Sequence, residues 1–364
     1  MQCGVSHRVL HFGNVLRPDR RKRTCRRAIH GGRSSCKRMK LILTIPLAGF
    51  MALLVCSGCR PDAQTRISFE ESLRIGGEGM FIRIEEVYSD RAGSILVTDA
   101  YRFAVKQFSA QGVLMKEFGA RGSGDNAFQA IPYRMVQAGE TIGIVEKGSS
   151  RIRFFDKRFS NVRESAVPGI IIDAVSDATG NLYVNLFPFS GSVDELLTQI
   201  GPGEKGFSKL PMSEVREDPV LNMAHLSITS KNELVVAHRF VNNVALYDAD
   251  RKIRKVFGVE SWPAQAPSGP SSMPGYKELP KGDVIADLAV DRRTDYLFVL
   301  GGEYSPDPYR TVQVYDRDGK WLAALRLPEK SGILYVDDAG HLYTREKDRT
   351  VLKRYNIVYE NFHD

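Results

Sequence analysis

The sequence predicts an all-β protein, a six-bladed β-propeller of four-stranded antiparallel blades. From about Ile67 onward, apolar and polar residues alternate in short segments separated by Gly, Asn and Asp, which is typical of strands and turns. The 3.6-residue periodicity of amphipathic helices is nearly absent. Two sequence landmarks also recur in a fixed order, and a period of about 40 to 50 residues indicates a propeller.

The first landmark is an aromatic residue followed by a small polar turn residue. It occurs at Phe108-Ser109, Phe155-Asp156, Tyr247-Asp248, Tyr315-Asp316 and Tyr355-Asn356. The copy missing between the second and third falls near Ile200-Gly201. Asp and Asn suit such turns because their side chains bond their own backbone and tolerate the left-handed region.

The second landmark is a Gly, Asn or Asp turn directly before a strand-like segment. These turns lie at 90–93, 137–139, 177–180, 230–232, 291–295 and 337–340. The two landmarks together predict six units of four strands each, and such units bury their faces by stacking around a common axis. We expect residues 66–69 or 72–75 to pair into the last blade, which closes the ring and removes an exposed edge.

A proline-rich insertion at 261–282 separates the fourth and fifth units. It contains Pro263, Pro267, Pro270, Pro274 and Pro280. Proline cannot donate to a strand ladder, so this segment cannot form a central strand. It is interpreted either as a functional lid or as a solvated connection.

The charge distribution argues against nucleic-acid binding. The chain has 364 residues and a formal charge of +8. Residues 1–40 contain twelve Lys or Arg and one acid, a balance of +11 that leaves −3 for the rest. A nucleic-acid-binding domain needs its positive charge on the folded surface. Residues 1–38 are expected to be an over-called start or a disordered leader, and the other interpretation is a basic arm that binds nucleic acid or lipid.

Residues 39–58 have the features of a secretory signal. Met39-Lys40 precedes an uncharged run that ends in Ser57-Gly58 before Cys59, as in a charged n-region, an apolar h-region and a small-residue cleavage site. The segment resembles a bacterial lipoprotein signal, although Cys56 stands where that signal usually has Leu. The resemblance implies cleavage before Cys59 and diacylation of its thiol, with 59–66 as a tether. A retained membrane anchor is the alternative, since 18 residues reach the lower limit of a span.

The cysteines support export without disulfides. All five lie at or before Cys59: Cys3, Cys25, Cys36, Cys56 and Cys59. The segment 67–360 therefore contains neither a disulfide nor a cysteine-based metal site, and it is long enough to build a core without cross-links.

Residues 94–108, with Asp99 and Arg102, resemble an NHL-type repeat, and the Gly-rich segment from Ala120 to Pro132 resembles the linker between such repeats. The body, predicted as a propeller over 67–360, resembles the six-bladed propeller lipoproteins of bacteria, a family defined more by fold than by activity. The resemblance implies a location in the cell envelope, and the absence of Asp directly after Cys59 favours the periplasmic side of the outer membrane.

The loops between the second and third strands of all blades open on one face of a propeller. Their charged residues are candidates for binding: Asp99, Arg102, Glu146, Arg151, His238, Arg239, Arg310 and Arg345, with Glu303 and Arg349 in the same loops. Guanidinium groups at this rim could bind a carboxylate, a phosphate or an acidic partner. The alternative is structural, because in NHL-like repeats such an Arg commonly ties its hairpin to a neighbouring acid.

An enzymatic alternative follows from lactonases and lyases with six blades, which hold an axial metal by residues of the innermost strands. The matching positions here are Glu86 (or Glu85), Asp173, His225 and Asp287, which suit Ca²⁺ or Mg²⁺. Motifs for a nucleophile, a P-loop or a zinc protease are absent from the sequence. We therefore expect a monomeric, lipid-anchored binding or scaffold module without cofactor or catalysis, whose partner is a protein or a small ligand. The alternative is a propeller enzyme with an axial Ca²⁺.

Overall fold

The computed structural model describes residues 65–361 except 91, 190–195, 202–207, 273–275 and 347. The predicted leader, the signal segment and Cys59 lie outside this range. Within it, six sheets of four antiparallel strands form a β-propeller, as predicted. Among these residues, no helix has the length and apolar character needed to cross a membrane.

The strands follow the chain blade by blade. The first strand is β1 (Thr65–Gly76). Blade 1 contains β2 (Ile84–Ser89), β3 (Ile95–Asp99), β4 (Ala104–Phe108) and β5 (Leu114–Phe118). Blade 2 contains β6 (Pro132–Ala138), β7 (Thr141–Glu146), β8 (Arg151–Phe155) and β9 (Asn161–Ala166). Blade 3 contains β10 (Gly169–Ser176), β11 (Leu182–Pro188), β12 (Leu197–Ile200) and β13 (Ser208–Lys209).

A 3₁₀ helix (Pro219–Asn222) leads into blade 4, which contains β14 (Ala224–Ile228), β15 (Leu234–His238), β16 (Val244–Tyr247) and β17 (Ile253–Phe257). A hairpin of β18 (Ser268–Pro270) and β19 (Glu278–Pro280) follows. Blade 5 contains β20 (Ile285–Asp291), β21 (Tyr296–Gly301), β22 (Thr311–Tyr315) and β23 (Trp321–Arg326). Blade 6 contains β24 (Tyr335–Val336), β25 (His341–Arg345) and β26 (Val351–Asn361), with β1 as its outermost strand.

The predicted aromatic-Asp landmark marks the hairpin between the third and fourth strands. Asp156 Oδ1 accepts hydrogen bonds from the backbone N–H groups of Arg158 at 2.8 Å and Ser160 at 2.9 Å. Asp316 accepts in the same way from the residues two and four positions later. These Asx turns recur because the carboxylate satisfies N–H groups that the tight hairpin leaves unpaired.

In blade 6 this landmark was wrong, because Tyr355-Asn356 lies inside β26 and forms no turn. The strand continues to Asn361 because its neighbour is β1, from the start of the described chain, instead of a strand that follows by a hairpin. Both segments predicted to close the ring belong to β1, separated by a β-bulge between Glu71 and Leu73. The ring closure itself is therefore confirmed.

The apolar core is divided among the interfaces between neighbouring blades. Between blades 5 and 6, Ile67 and Phe298 are buried in one cluster with Tyr355. The ring of Phe69 packs against Phe298 and Tyr355, with both centroid distances at 6.3 Å. The outermost strand of blade 6 therefore also contributes to the packing against blade 5.

The proline-rich insertion is packed against the propeller. Trp262 and Ala266 are buried in the core cluster shared by blades 4 and 5, and Tyr276 and Leu279 pack against its surface. The β18–β19 hairpin is separate from the six blades, as expected from its prolines. The insertion is thus anchored by apolar contacts at both of its ends.

Replacing Ile67 by Ala is expected to lower the free energy of unfolding by about 2 to 4 kcal/mol, because it leaves a cavity at the ring closure. The matched control is Ile82→Ala, since Ile82 is 50% exposed and its truncation should cost less than about 0.5 kcal/mol. Urea denaturation followed by tryptophan fluorescence measures both. Equal effects of the two substitutions would show that β1 does not stabilise the ring.

Candidate functional site

Ionisable side chains occupy equivalent positions on the innermost strands of five blades. They are Glu86, Arg134, Asp173, His225 and Asp287, which we call the axial cluster. In blades 1, 2, 3 and 5 the register between the first and second strands shifts at or directly before this position. A β-bulge changes the direction of a side chain. Here the bulges lie next to the residues whose side chains meet near the axis.

Arg134 lies at the centre of the axial cluster. Its Nη1 donates to Glu86 Oε2, and its Nε lies 2.9 Å from Asp173 Oδ1. His225 Nδ1 lies 3.4 Å from Asp287 Oδ1 and 3.8 Å from Asp173 Oδ2. The four residues predicted as metal ligands are therefore brought together, but around a guanidinium group that the sequence prediction did not include.

The aspartates of the cluster also bind the backbone of the following blade. Asp173 Oδ2 accepts from the N–H of Leu226 at 2.9 Å, and Asp287 Oδ2 accepts from the N–H of Leu334 at 2.7 Å. These contacts join blade 3 to blade 4 and blade 5 to blade 6. The axial cluster is thus part of the framework that holds the blades in register.

Burial dominates the electrostatics of the cluster. It raises the pKa of Asp287 to about 7, although Arg134 opposes this, and it raises the pKa values of Glu86 and Asp173. Burial, together with the positive charge of Arg134, lowers the pKa of His225 well below its usual value. Arg134 stays charged because Asp173 and other nearby groups outweigh its own burial and raise its pKa.

The axial cluster does not fit a Ca²⁺ ion. A calcium site needs six to eight oxygen ligands around the ion, whereas here a guanidinium cation contacts two of the carboxylates. In the described part of the chain, no group of three or more His, Cys, Asp or Glu is arranged to bind a metal ion. We therefore assign no chemical step to an axial metal.

The axis has a cavity on each side of Arg134. The lower cavity, of about 130 Å³, is lined by Arg134 together with Tyr88, Asp287, Arg292 and Tyr335. The upper cavity has about 690 Å³ and is lined by residues that precede the innermost strands and by loops between second and third strands. Its charged lining consists of Arg83, Glu85, Arg134, Lys147, Arg239, Asp283, Glu303, Lys330, Arg345, Glu346 and Arg349.

Three guanidinium groups of the upper cavity converge on one carboxylate. Glu85 Oε2 lies 3.0 Å from Arg83 Nε, 3.6 Å from Arg349 Nη1 and 3.8 Å from Arg345 Nη1. Burial would raise the pKa of Glu85, but the three arginines outweigh it and lower that pKa. Burial and the neighbouring Arg349 lower the pKa of Arg345 to about 10. This part of the cavity therefore carries more positive charge than Glu85 can balance.

The lining of the upper cavity as a whole also contains more positive than negative charge. Seven Lys or Arg and four Asp or Glu line the upper cavity among the described residues. Asp283 pairs with Arg239 of the same lining at 2.6 Å, whereas Glu346 pairs with Lys353, which lies outside the lining, at 3.1 Å. The surplus positive charge of the cavity favours an anionic ligand.

Two residues of the upper cavity have strained backbone. Tyr309 has a φ of 63° and Arg349 has a φ of 64°, which lies in the left-handed region that non-glycine residues rarely adopt. Each follows the second strand of its blade and places its side chain in the cavity. The same conformation occurs outside this cavity at Phe103, Phe159, Asn232, Arg251, Ser261 and Asp295, so it does not by itself mark the cavity as a functional site.

Of the rim residues predicted from sequence, Arg239 and Arg345 line the upper cavity, as do Glu303 and Arg349. Asp99 instead accepts hydrogen bonds from the backbone N–H groups of residues 82 and 83. Arg102 donates to carbonyl oxygens of residues 79 and 80. These two residues hold the connection that enters blade 1. Their role is therefore structural, which was the alternative to ligand binding.

The remaining rim residues lie away from the upper cavity. Glu146 accepts from the backbone N–H of residue 130 at 2.7 Å, and Arg151 is exposed, 3.5 Å from Glu164. Both line a separate surface cavity of about 500 Å³ beside blade 2. His238 is fully buried, and Arg310 donates to carbonyl oxygens of residues 327 and 328.

The sequence prediction missed Arg83, Tyr133, Lys147 and Lys330. Arg83 and Tyr133 precede the innermost strands or lie at their bulges, and Lys330 lies in the connection between two blades. A charged or aromatic residue directly before an innermost strand was the available signal, because these strands begin at the wall of the upper cavity.

Neither a protein-family model nor a curated protein matches the chain. A member of the DUF4221 family from Bacteroides vulgatus is similar over 83% of this chain and 100% of its own, with a TM-score of 0.56 and 11% identity. A streptogramin B lyase has a TM-score of 0.51 and 10% identity, over 80% of this chain and 98% of its own. A gluconolactonase from Xanthomonas campestris has a TM-score of 0.51 and 12% identity, over 81% and 90%. These similarities show the propeller fold.

Replacing Asp287 by Asn is expected to remove part of the pH dependence of stability. The pKa of Asp287 is about 7 in the folded protein and near 4 in an unfolded chain. The folded state therefore holds an extra proton between these values. The contribution of Asp287 to the free energy of unfolding is complete below about pH 4 and is lost as the pH rises to 7.

The stability difference between wild type and Asp287→Asn should therefore decrease from pH 4 to pH 7 in urea denaturation. Asp250→Asn, at an exposed turn, serves as the control for the removal of one carboxylate charge away from the axis. A pH-independent difference for Asp287→Asn would contradict the raised pKa.

Proposed function

We propose that this protein is a lipid-anchored, periplasm-facing binding module without catalysis of its own. Its upper cavity binds the carboxylate or phosphate group of a ligand, either a small molecule or an acidic segment of a partner protein. The observation that carries the proposal is the convergence of Arg83, Arg345 and Arg349 on the single carboxylate of Glu85.

An anion in the upper cavity would relieve an electrostatic cost. Burial and neighbouring arginines lower the pKa values of Arg345 and Arg349, so each guanidinium group is less favourable in the cavity than in water. A ligand carboxylate or phosphate can accept two parallel hydrogen bonds from one guanidinium group. The interaction is stronger in a partly buried cavity than at an exposed surface.

Similar folds include proteins named as a lyase and a gluconolactonase, so the fold alone does not select between binding and catalysis. The choice between binding and catalysis rests on the residues at the propeller axis. The candidate metal ligands Glu86 and Asp173 are paired with Arg134, which supports binding over metal-assisted hydrolysis.

The position of β1 supports a membrane orientation for this module. Gly76 pairs with Val351, beside the Arg349 loop of the upper cavity, whereas Thr65 pairs with Asn361 at the opposite end of the strand. Five residues separate Thr65 from Cys59, and they can span at most about 20 Å. Two acyl chains on Cys59 would give firm anchoring, and the tether joins the propeller at the end of β1 that lies opposite the Arg349 loop.

Anion binding is tested with citrate and with inorganic phosphate, each added at constant ionic strength with chloride as reference. We expect at least one of them to raise the thermal midpoint of the wild type. The Arg349→Gln variant should bind the same anion about 10- to 100-fold more weakly, because one charged hydrogen bond contributes about 1.5 to 3 kcal/mol. Isothermal titration calorimetry measures the two affinities.

The matched control is Arg326→Gln, because Arg326 is an exposed arginine 2.6 Å from Asp307 and outside the cavity lining. It should bind the anion like the wild type. Equal weakening by both variants, or the lack of an anion effect on the wild type, would refute the anion site.

Anchoring is tested by Cys59→Ser in a Gram-negative host. The variant cannot form the thioether that carries the acyl chains, so we expect it to move from the membrane fraction to the soluble fraction or to accumulate uncleaved. Cys56→Ser should stay in the membrane fraction, because that residue lies within the segment removed. Mass analysis of the extracted N-terminus then identifies the first residue. A diacylated Cys59 supports the proposal, and an unmodified one contradicts it.

A further inference from the structure

We infer that the upper cavity selects acids that also carry a hydroxyl group, and that Tyr309 and Tyr133 make this selection. The inference rests on the proposed anion site and deepens it, because it names a second feature of the ligand. The three arginines around Glu85, which we call the arginine group, bind the acid. The two tyrosine hydroxyl groups bind the neutral part of the same molecule.

The hydroxyl groups of both tyrosines are available to a ligand. Tyr309 and Tyr133 line the upper cavity, and both residues are partly buried. Among the described residues, neither hydroxyl group forms a hydrogen bond with another residue. A buried tyrosine usually has a hydrogen-bond partner for this group. A ligand in the cavity can supply that partner.

The position of Tyr309 is fixed without its hydroxyl group. Its backbone N–H donates to the carbonyl oxygen of Gly301 at 3.0 Å, and its own carbonyl oxygen accepts from the N–H of Ser331 at 2.8 Å. Its ring packs against the apolar cluster between blades 5 and 6. None of these contacts uses the phenolic oxygen, so the hydroxyl group is free to serve recognition.

Tyr133 is held at the axial end of the same cavity. The guanidinium group of Arg134 packs on its ring, with 4.7 Å from Cζ to the ring centroid. Arg239 interacts electrostatically with Tyr133 and with Tyr309. The two tyrosines therefore belong to one part of the lining, on either side of Arg239.

The charges in this part of the lining are balanced. Asp283 accepts from Arg239 Nε at 2.6 Å. Glu303 is held beside this pair, because its N–H donates to the carbonyl oxygen of Asp283 at 2.8 Å. Lys330 directly precedes the residue whose N–H binds the carbonyl oxygen of Tyr309. Two acids and two bases surround Tyr309, so the surplus positive charge of the cavity lies at the arginine group.

This separation defines the ligand. Its charged end is favoured at the arginine group, and the part beside the tyrosines gains from neutral hydrogen bonds. Burial and the charge of Asp283 raise the pKa of Tyr309 to about 12, and burial raises the pKa of Tyr133, so both hydroxyl groups keep their protons at neutral pH. A ligand hydroxyl group can pair with a phenol as donor or as acceptor. An analogue without it leaves the phenol unpaired and binds more weakly.

The test uses pairs of acids that have the same number of carboxylates and differ in one hydroxyl group. The pairs are citrate with tricarballylate and malate with succinate, at constant ionic strength and at a pH where all carboxylates are ionised. Isothermal titration calorimetry measures each affinity. The wild type should bind the hydroxylated member of at least one pair about 3- to 10-fold more tightly, the effect of one neutral hydrogen bond.

Substitutions separate the two parts of the cavity. Tyr309→Phe should weaken binding of the hydroxylated acid and leave its partner unchanged, and adding Tyr133→Phe should bring the affinity ratio to about one, since both phenols are then lost. Tyr309→Phe should keep the thermal midpoint within about 1 °C, because no contact that fixes the residue uses the oxygen. Arg349→Gln should instead weaken both members of a pair by the same factor and keep their ratio.

Tyr296→Phe is the matched control. Tyr296 is also partly buried, but it begins β21 outside the cavity lining. Its substitution should leave all four affinities unchanged.

Two results would overturn the inference while leaving the anion site in place. One is equal affinity of the wild type for both members of each pair. The other is a hydroxyl preference that persists in the variant with both tyrosines replaced. Failure of all four acids to bind would also overturn the inference, and together with a failure of phosphate it would refute the anion site itself.

Discussion

The structure depends on the neutralisation of buried charge at the propeller axis. Six innermost strands converge there, and three of them bring a buried carboxyl group to the axis. The guanidinium group of Arg134 contacts two of these carboxyl groups, and backbone N–H groups of the following blades bind the aspartates. A broken buried ion pair is strongly destabilising because it leaves a charge without compensation, so this cluster fixes the relative positions of the blades.

The same cluster explains why the proposed binding site lies above the axis. Arg134 fills the centre between the two cavities, so a ligand has room in the upper cavity, where the loops of several blades meet. The acids of that cavity are fewer than its bases, and Glu85 is shared by three arginines. The protein thus uses arginine in two ways: as a fixed internal cation at the axis and as a partly unbalanced charge in the upper cavity.

The agreement between sequence and structure differs from element to element. The Asx turns at Asp156 and Asp316 form as predicted, because the interaction is local and needs only the residues two and four positions later. Tyr355-Asn356 has the same pattern and forms no turn, because its strand pairs with β1, which is distant in the sequence. A local pattern cannot show whether a distant strand competes for the same edge.

The sequence by itself determined the number of blades and the ring closure, because both depend on a repeat whose period is visible in the chain. The expectation that Glu86 (or Glu85), Asp173, His225 and Asp287 meet at the axis came from the resemblance to propeller lactonases and lyases. Only the tertiary structure decided which charge lies among these residues. Arg134 has no distinguishing feature in the sequence, and its role follows from the bulge and twist of β6 that bring it to the axis. In the same way, Arg102 and Arg345 were both predicted in loops between second and third strands, but Arg345 ends β25 and lines the cavity, whereas Arg102 lies in a turn and does not.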